Sequence, residues 1–148
     1  MAVKAKPDGY HAVTPYLIAE GAAKVIDFAK ATFGAEEKLR LTAPGGRIGH
    51  AELRIGDAAV MLADANAEHP AMPCTLHVYV DDADATYQRA LSAGGTSVRA
   101  VANQFYGDRS GGVRDPGGNV WHIATHVEDV PPAELKRRAE EAMRQAHG

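Results

Sequence analysis

The chain has one cysteine, Cys74, so no disulfide can form within it. A lone thiol fits a reducing compartment, and the chain is expected to be cytoplasmic. No basic residue sits next to Cys74 to lower its pKa, so it reads as a buried, unreactive thiol at the start of an apolar strand. Positive charge is not in excess. Sixteen Lys and Arg against 19 Asp and Glu give a net charge of −3, whereas a nucleic-acid partner calls for a basic face. No apolar run approaches the roughly 20 residues of a membrane-crossing helix, so no membrane partner is expected. Residues 1–9 carry two lysines without an apolar core behind them, unlike a signal peptide. There is no P-loop, no G-x-S-x-G, no dinucleotide-type G-x-G-x-x-G and no readable Ser-His-Asp or Cys-His arrangement. What remains is an ordinary globular composition, 45% hydrophobic and 24% charged over 148 residues. That suits one compact unit or two half-sized modules sharing a core.

The pattern along the chain favours two modules. Residues 10–19 (YHAVTPYLIA) read as a strand, with Pro15 at an edge or bulge position. Ala22, Val25, Ile26, Ala29 and Phe33 recur at helical spacing, and Gly34 ends that helix. Residues 37–42, 47–55 and 58–63 read as strands, the last two joined by a Gly56-Asp57 turn. After a linker at 66–73 the pattern restarts. Residues 75–80 form a strand. Asp81-Asp82 offers an N-cap to a helix striped by Ala83, Thr86, Tyr87, Ala90 and Leu91, and Gly94-Gly95 stops it. Residues 96–102 follow as a strand. A single gapless offset lays Thr14 on Thr75, Ala22 on Ala83, Ala29 on Ala90, Gly34 on Gly95, Gly56 on Gly117 and Ala63 on Ala124. Strand start, helix face, helix stop and hairpin turn all coincide, which is the signature of a βαβββ module present twice.

Residues 104–126 (QFYGDRSGGVRDPGGNVWHIATH) close the second module. A polar loop over 105–112 is expected to lead into a short strand at Val113-Arg114. Asp115-Pro116-Gly117-Gly118 then makes a tight turn, and residues 119–126 return as a strand. Alternation puts Val120, His122, Ala124 and His126 on one face and Trp121, Ile123 and Thr125 on the other. Gly45-Gly46, Gly94-Gly95, Gly111-Gly112 and Gly117-Gly118 all read as turns. Asp108 and Arg109 read as a structural ion pair at the hairpin entry, or Phe105, Tyr106 and Arg109 as a clamp on a planar or anionic ligand. Beyond residue 130, Pro131-Pro132 opens a charged helix with a thin stripe of Leu135, Ala139, Ala142 and Met143, a docking helix or dimer arm. The expected organisation is therefore a tail at 1–9, modules at 10–73 and 74–130, and a helix at 131–148. The fold class is α+β, with two half-barrel sheets around a shared cavity.

VTPYL, IDFAKATFGAEE, HAELRIGD, LHVYVDDADA, YGDRSGGVRDPGGNVW and THVEDV together resemble the vicinal oxygen chelate superfamily, which includes glyoxalase I, bleomycin-resistance proteins and extradiol dioxygenases. The likeness is greatest to its PhnB-like branch and covers roughly residues 10–130. Metal enzymes of that superfamily take two ligands from the first strands and two from the last strands of the modules. Carried over, the resemblance implies Thr14, Met61, Thr75 and His122 at those positions. Only His122 is an ordinary ligand; a thioether and two hydroxyls hold a divalent ion poorly. A displaced site would draw on His122 with His77, His50 or Glu52. The sequence thus points to a metal-independent small-molecule-binding protein without a cofactor, its ligand lined by Thr14, Tyr16, Met61, Thr75, His77, Tyr79, Phe105, Tyr106, Arg109 and His122. The alternative is a divalent-metal-dependent lyase, isomerase or dioxygenase. His122 is the candidate acid–base residue in either case, and the resemblance implies a homodimer.

Overall fold

The computed structural model describes residues 2–147; Met1 of the expected tail and Gly148 of the expected C-terminal helix lie outside it. Its elements are β1 (Tyr16–Ala19), α1 (Ala22–Phe33), β2 (Glu36–Thr42), β3 (Ile48–Ile55), β4 (Ala58–Asp64), β5 (Thr75–Tyr79), α2 (Ala83–Ser92), β6 (Thr96–Asn103), β7 (Asp108–Arg114), β8 (Val120–His126) and α3 (Pro132–His147). They form two four-stranded sheets of the same topology, ordered β1-β4-β3-β2 and β5-β8-β7-β6. In each, the first strand runs parallel to the last and the other pairs are antiparallel. The fold is α+β with two half-barrel sheet modules and a C-terminal helix. No described helix is long and apolar enough to cross a membrane.

The duplication extends to the start of each helix. A helix leaves its first amides unpaired, and a side chain from the last strand takes one of them in both modules. Asp64 at the end of β4 accepts from the Ala22 amide at 2.8 Å, and Thr125 near the end of β8 accepts from the Ala83 amide at 2.9 Å. The repeat offset lays donor on donor and acceptor on acceptor. Gly21 precedes α1 at φ 75°, a left-handed conformation that suits glycine. Asp82 caps α2 through the Ala85 amide.

That offset does not hold everywhere. Met61 pairs with Glu52 across the first hairpin, and its equivalent His122 pairs with Gly112 across the second. Glu52 therefore corresponds to Gly112 rather than to Val113, because the second turn is longer by a single position. That longer turn is an Asp115-centred knot. Its buried carboxylate accepts from the Gly117 and Asn119 amides and from the Trp121 indole at 2.8 Å, and Asn119 Oδ1 accepts from the Cys74 amide.

Strand alternation divides each sheet into a helix-covered face and an open face. Within the chain the modules meet through the covered faces, where α1 packs against α2. Phe28 and Phe33 lie 6.4 and 5.1 Å, centroid to centroid, from Trp121, which is 1% exposed. A Cβ on Gly117 would stand 2.6 Å from Val25, so the hairpin turn is pressed onto α1.

Four expectations are corrected. β1 begins at Tyr16, not Tyr10. The tail turns away before Pro15, whose imide nitrogen cannot donate to a ladder, and the Tyr10 hydroxyl donates instead to Glu52 on β3. β7 takes in Asp108 to Gly112, leaving a loop of only Gln104 to Gly107. Gly111 and Gly112 are strand residues rather than a turn; Gly111 is bare because Tyr87 of α2 and the Arg99 carbonyl press against it. Arg109 does not pair with Asp108. Neighbours in a strand face opposite ways, and Arg109 instead meets Asp84 of α2 at 2.6 and 2.9 Å and Asn103 at 3.2 Å.

Candidate ligand site

The open face of the first sheet carries Tyr16, His50, Glu52 and Met61. A relay crosses it from the Tyr10 hydroxyl to Glu52, then to His50 Nε2 at 3.2 Å, with His50 Nδ1 bonded to the Tyr16 hydroxyl at 2.9 Å. The hydrogen bond from Tyr10, followed by that from His50, holds the Glu52 carboxyl below its usual range. Arg54 donates to the Gly9 carbonyl at 2.7 Å, so the tail is fastened across this face at two points. Between tail and sheet lies a cavity of about 590 Å³, lined by Lys6, Tyr10, His11, Thr14, Glu52 and Met61 among others. Met61 lies on β4, while Thr14, expected on the first strand, lies just before β1; both line this cavity. Lys6, Tyr10 and His11 have no signal in the sequence, because tail residues without periodicity give no sign of where they return.

The open face of the second sheet carries Thr75, His77, Tyr79, Asp108, Ser110, Gly112 and His122. His77 lies 4.9 Å from Tyr79 and 6.4 Å from His122, centroid to centroid. Burial, then the nearby Arg99 charge, pushes the His122 imidazole below its ordinary value of 6.5, so the ring is neutral at pH 7. Its Nδ1 is buried against Gly112 with no hydrogen-bond partner. Asp108, whose side chain is 4% exposed, accepts from the Tyr79 hydroxyl at 2.9 Å and holds His126 Nδ1 at 2.8 Å. His126 also reaches Asp129 at 2.7 Å, and the Asp108 bond followed by the Asp129 bond raises its pKa above 6.5. Asp108 and His126 are absent from the site residues that the sequence suggests. A strand carboxylate reads as surface until its neighbours are known.

Phe105 and Tyr106 stack edge-on at 5.2 Å in the loop before β7, and the Phe105 carbonyl is tied to Arg138 of α3. Arg109 lies on the helix-covered side with Asp84, away from His77 and His122. Cys74 is partly buried, and burial pushes its thiol up, as suits an unreactive sulfur. A second cavity, of about 660 Å³, sits at the module junction along the free edge of β5, between Phe33, Ile55, Val60, Trp121 and Arg89.

The divalent ion that the resemblance implies would need ligands from these residues. Thr14 and Met61 share the tail-covered cavity, while Thr75 and His122 belong to the other sheet. In the displaced alternative, His50 and Glu52 are bonded to each other and to tyrosines. Among the described residues no three His, Cys, Asp or Glu side chains are grouped to hold a metal within one chain. One imidazole, one thioether and two hydroxyls on separate faces do not fit a resident metal.

This geometry has relatives. The Glyoxalase/Bleomycin resistance protein/Dioxygenase superfamily matches residues 10–123, and the chain belongs to that superfamily. The uncharacterized protein Mb0911c of Mycobacterium bovis is 38% identical, over 92% of this chain and 94% of its own length. Among solved structures, TioX from Micromonospora sp. ML1 is similar with a TM-score of 0.66 at 26% identity, covering 78% of this chain and 98% of its own. The PhnB protein from Bacillus cereus shares the fold with a TM-score of 0.59 at 18% identity, covering 78% and 99%.

Proposed function

We propose that this protein binds a small, largely apolar or planar molecule in the cytoplasm, as a homodimer and without a metal or other cofactor. The observation that carries the reading is the cavity of about 590 Å³ on the first open face. It is of ligand size, and the two residues that the resemblance implies at metal positions, Thr14 and Met61, line it as a hydroxyl and a thioether. The placement of the halves supports the homodimer. Thr14 and Met61 lie on one open face, Thr75 and His122 on the other, and the modules meet through the faces opposite to both. A second copy brings the first open face of one chain over the second open face of another. Tyr16, Leu41, Tyr79 and Val98, all exposed, then gain cover.

The test has three readouts on protein purified without chelator or tag metal. Elemental analysis is expected to find no stoichiometric Ni, Zn, Mn or Fe. Sedimentation is expected to give a dimer. A thermal-shift screen is expected to return planar apolar ligands whose effect rises with concentration and falls in Tyr16→Ala and Met61→Ala. About one tightly held metal per chain, lost in His122→Ala, would sink the reading.

A second reading, proton transfer by His122, draws on one observation: an imidazole whose Nδ1 is buried without a hydrogen-bond partner, in a setting whose burial pushes its pKa down. Such a group can serve as a base. If His122→Ala abolishes a measured turnover while ligand affinity stays, this reading replaces binding without turnover.

A further inference from the structure

We propose that Arg99 and Ser110, beside His122, form an anion subsite on the second open face, so that the ligand is an apolar body bearing a carboxylate or phosphate. The inference rests on the small-molecule reading above and adds the charge of the molecule bound.

Arg99 reaches out of β6 over that face, and its guanidinium donates to the Ser110 hydroxyl at 2.9 Å. It forms no ion pair within the chain among the described residues. One neutral hydroxyl satisfies a single N–H of a fork that carries five. Asp108, a carboxylate on the same face, is already held by Tyr79 and His126. Among the described residues, the second face therefore presents an unmatched cation. His122 stands close enough for the Arg99 charge to disfavour its protonated form. An anion bound at Arg99 reverses that effect, letting the imidazole take a proton and donate to the same oxygens. Gly112 leaves the floor beside His122 without a side chain, and Val98 flanks it. That surface suits the apolar part of such a ligand. A guanidinium recognises carboxylate and phosphate oxygens alike by paired hydrogen bonds.

Calorimetry with three probes of one shape tests this: 2-naphthoate, 2-naphthyl phosphate and the neutral 2-naphthamide. The wild type is expected to bind an anionic probe about tenfold or more tighter than the amide. The comparison of the two anions tells which group is preferred. Arg99→Gln is expected to erase the difference, Arg99→Lys to restore part of it, and Lys24→Gln, the same charge change on α1, to leave it intact. A second readout is the His122 titration followed by NMR, expected to move up when 2-naphthoate is added and to stay put with the amide. Equal binding of acid and amide by the wild type, or a preference that survives in Arg99→Gln, overturns the inference and leaves the small-molecule reading standing. Failure of all three probes up to their solubility overturns both. If Arg99→Gln dissociates the dimer without touching the preference, Arg99 serves the contact between copies and the subsite is refuted.

Discussion

The two modules share a scaffold, yet their open faces differ in chemistry. Tyr16 on the first corresponds to His77 on the second, Met61 to His122, His50 to Ser110 and Glu52 to Gly112. The first face carries a polar relay under the tail, in which Tyr10, Glu52, His50 and Tyr16 are hydrogen-bonded in series. The second is bare in the middle, with an orphaned imidazole nitrogen and an unmatched arginine. What duplication preserved is what holds the module together: the parallel first–last strand pairing and the side-chain acceptor that starts each helix. What it let diverge are positions whose side chains point away from the core, where substitution costs little stability. A site built from both faces therefore has unlike walls.

The comparison can be broken most severely at the seam between the modules. Trp121→Ala removes a buried indole and strips Asp115 of a partner, and is expected to cost about 4 kcal/mol in urea unfolding. A value near zero would mean that the modules do not depend on that seam. Asp64→Ala and Thr125→Ala compare the two helix starts. Asp64 also takes the Ile48 amide at 2.7 Å, so its loss is expected to cost about 2 kcal/mol and that of Thr125 about 1. The reverse order would mean that the acceptors are not equivalent devices. The hairpin turns separate two roles of glycine. Gly117→Ala drives a Cβ into Val25 and is expected to cost about 2 kcal/mol. Gly56, at φ 57° with open space around it, is expected to cost about 1 on the same change.

The two histidines at opposite ends of β8 sharpen the contrast through pH. His126 has a raised pKa in the fold, so its clamp between Asp108 and Asp129 contributes fully below 6.5 and is lost as pH rises through the raised value. His122 is depressed, so its neutral form is favoured above 6.5 and stability falls as pH drops towards its lowered value. NMR titration is expected to place the two on opposite sides of 6.5, and His126→Gln to narrow its gap from wild type in alkali. The smallest effect is expected at α3. Its Arg138 ties to Glu128 and the Phe105 carbonyl are solvent-screened, so Arg138→Ala is expected to leave the unfolding midpoint unchanged.

Much of this is legible along the chain. Thr75, His77, Tyr79 and His122 share a face because strand alternation is a local rule. The βαβββ repeat shows because its helix stripes and turn glycines sit at fixed offsets, and Asp82 reads as a cap from its position alone. Arg109 is misplaced by sequence because its partner Asp84 lies far back in the chain, on a helix whose side of the sheet the sequence does not state. Gly111 reads as a turn because a glycine kept for close approach of Tyr87 looks, in sequence, like one kept for a bend.

The sequence by itself determined the helices, most of the strands and their duplication, since these follow from periodicity and backbone preference over a few positions. Only the tertiary structure decided that the modules meet through α1 and α2, that the tail folds back over Glu52 and that Asp108 is buried between Tyr79 and His126. Each depends on contacts between residues far apart in the chain, which are chosen by packing and hydrogen-bond satisfaction rather than by local pattern.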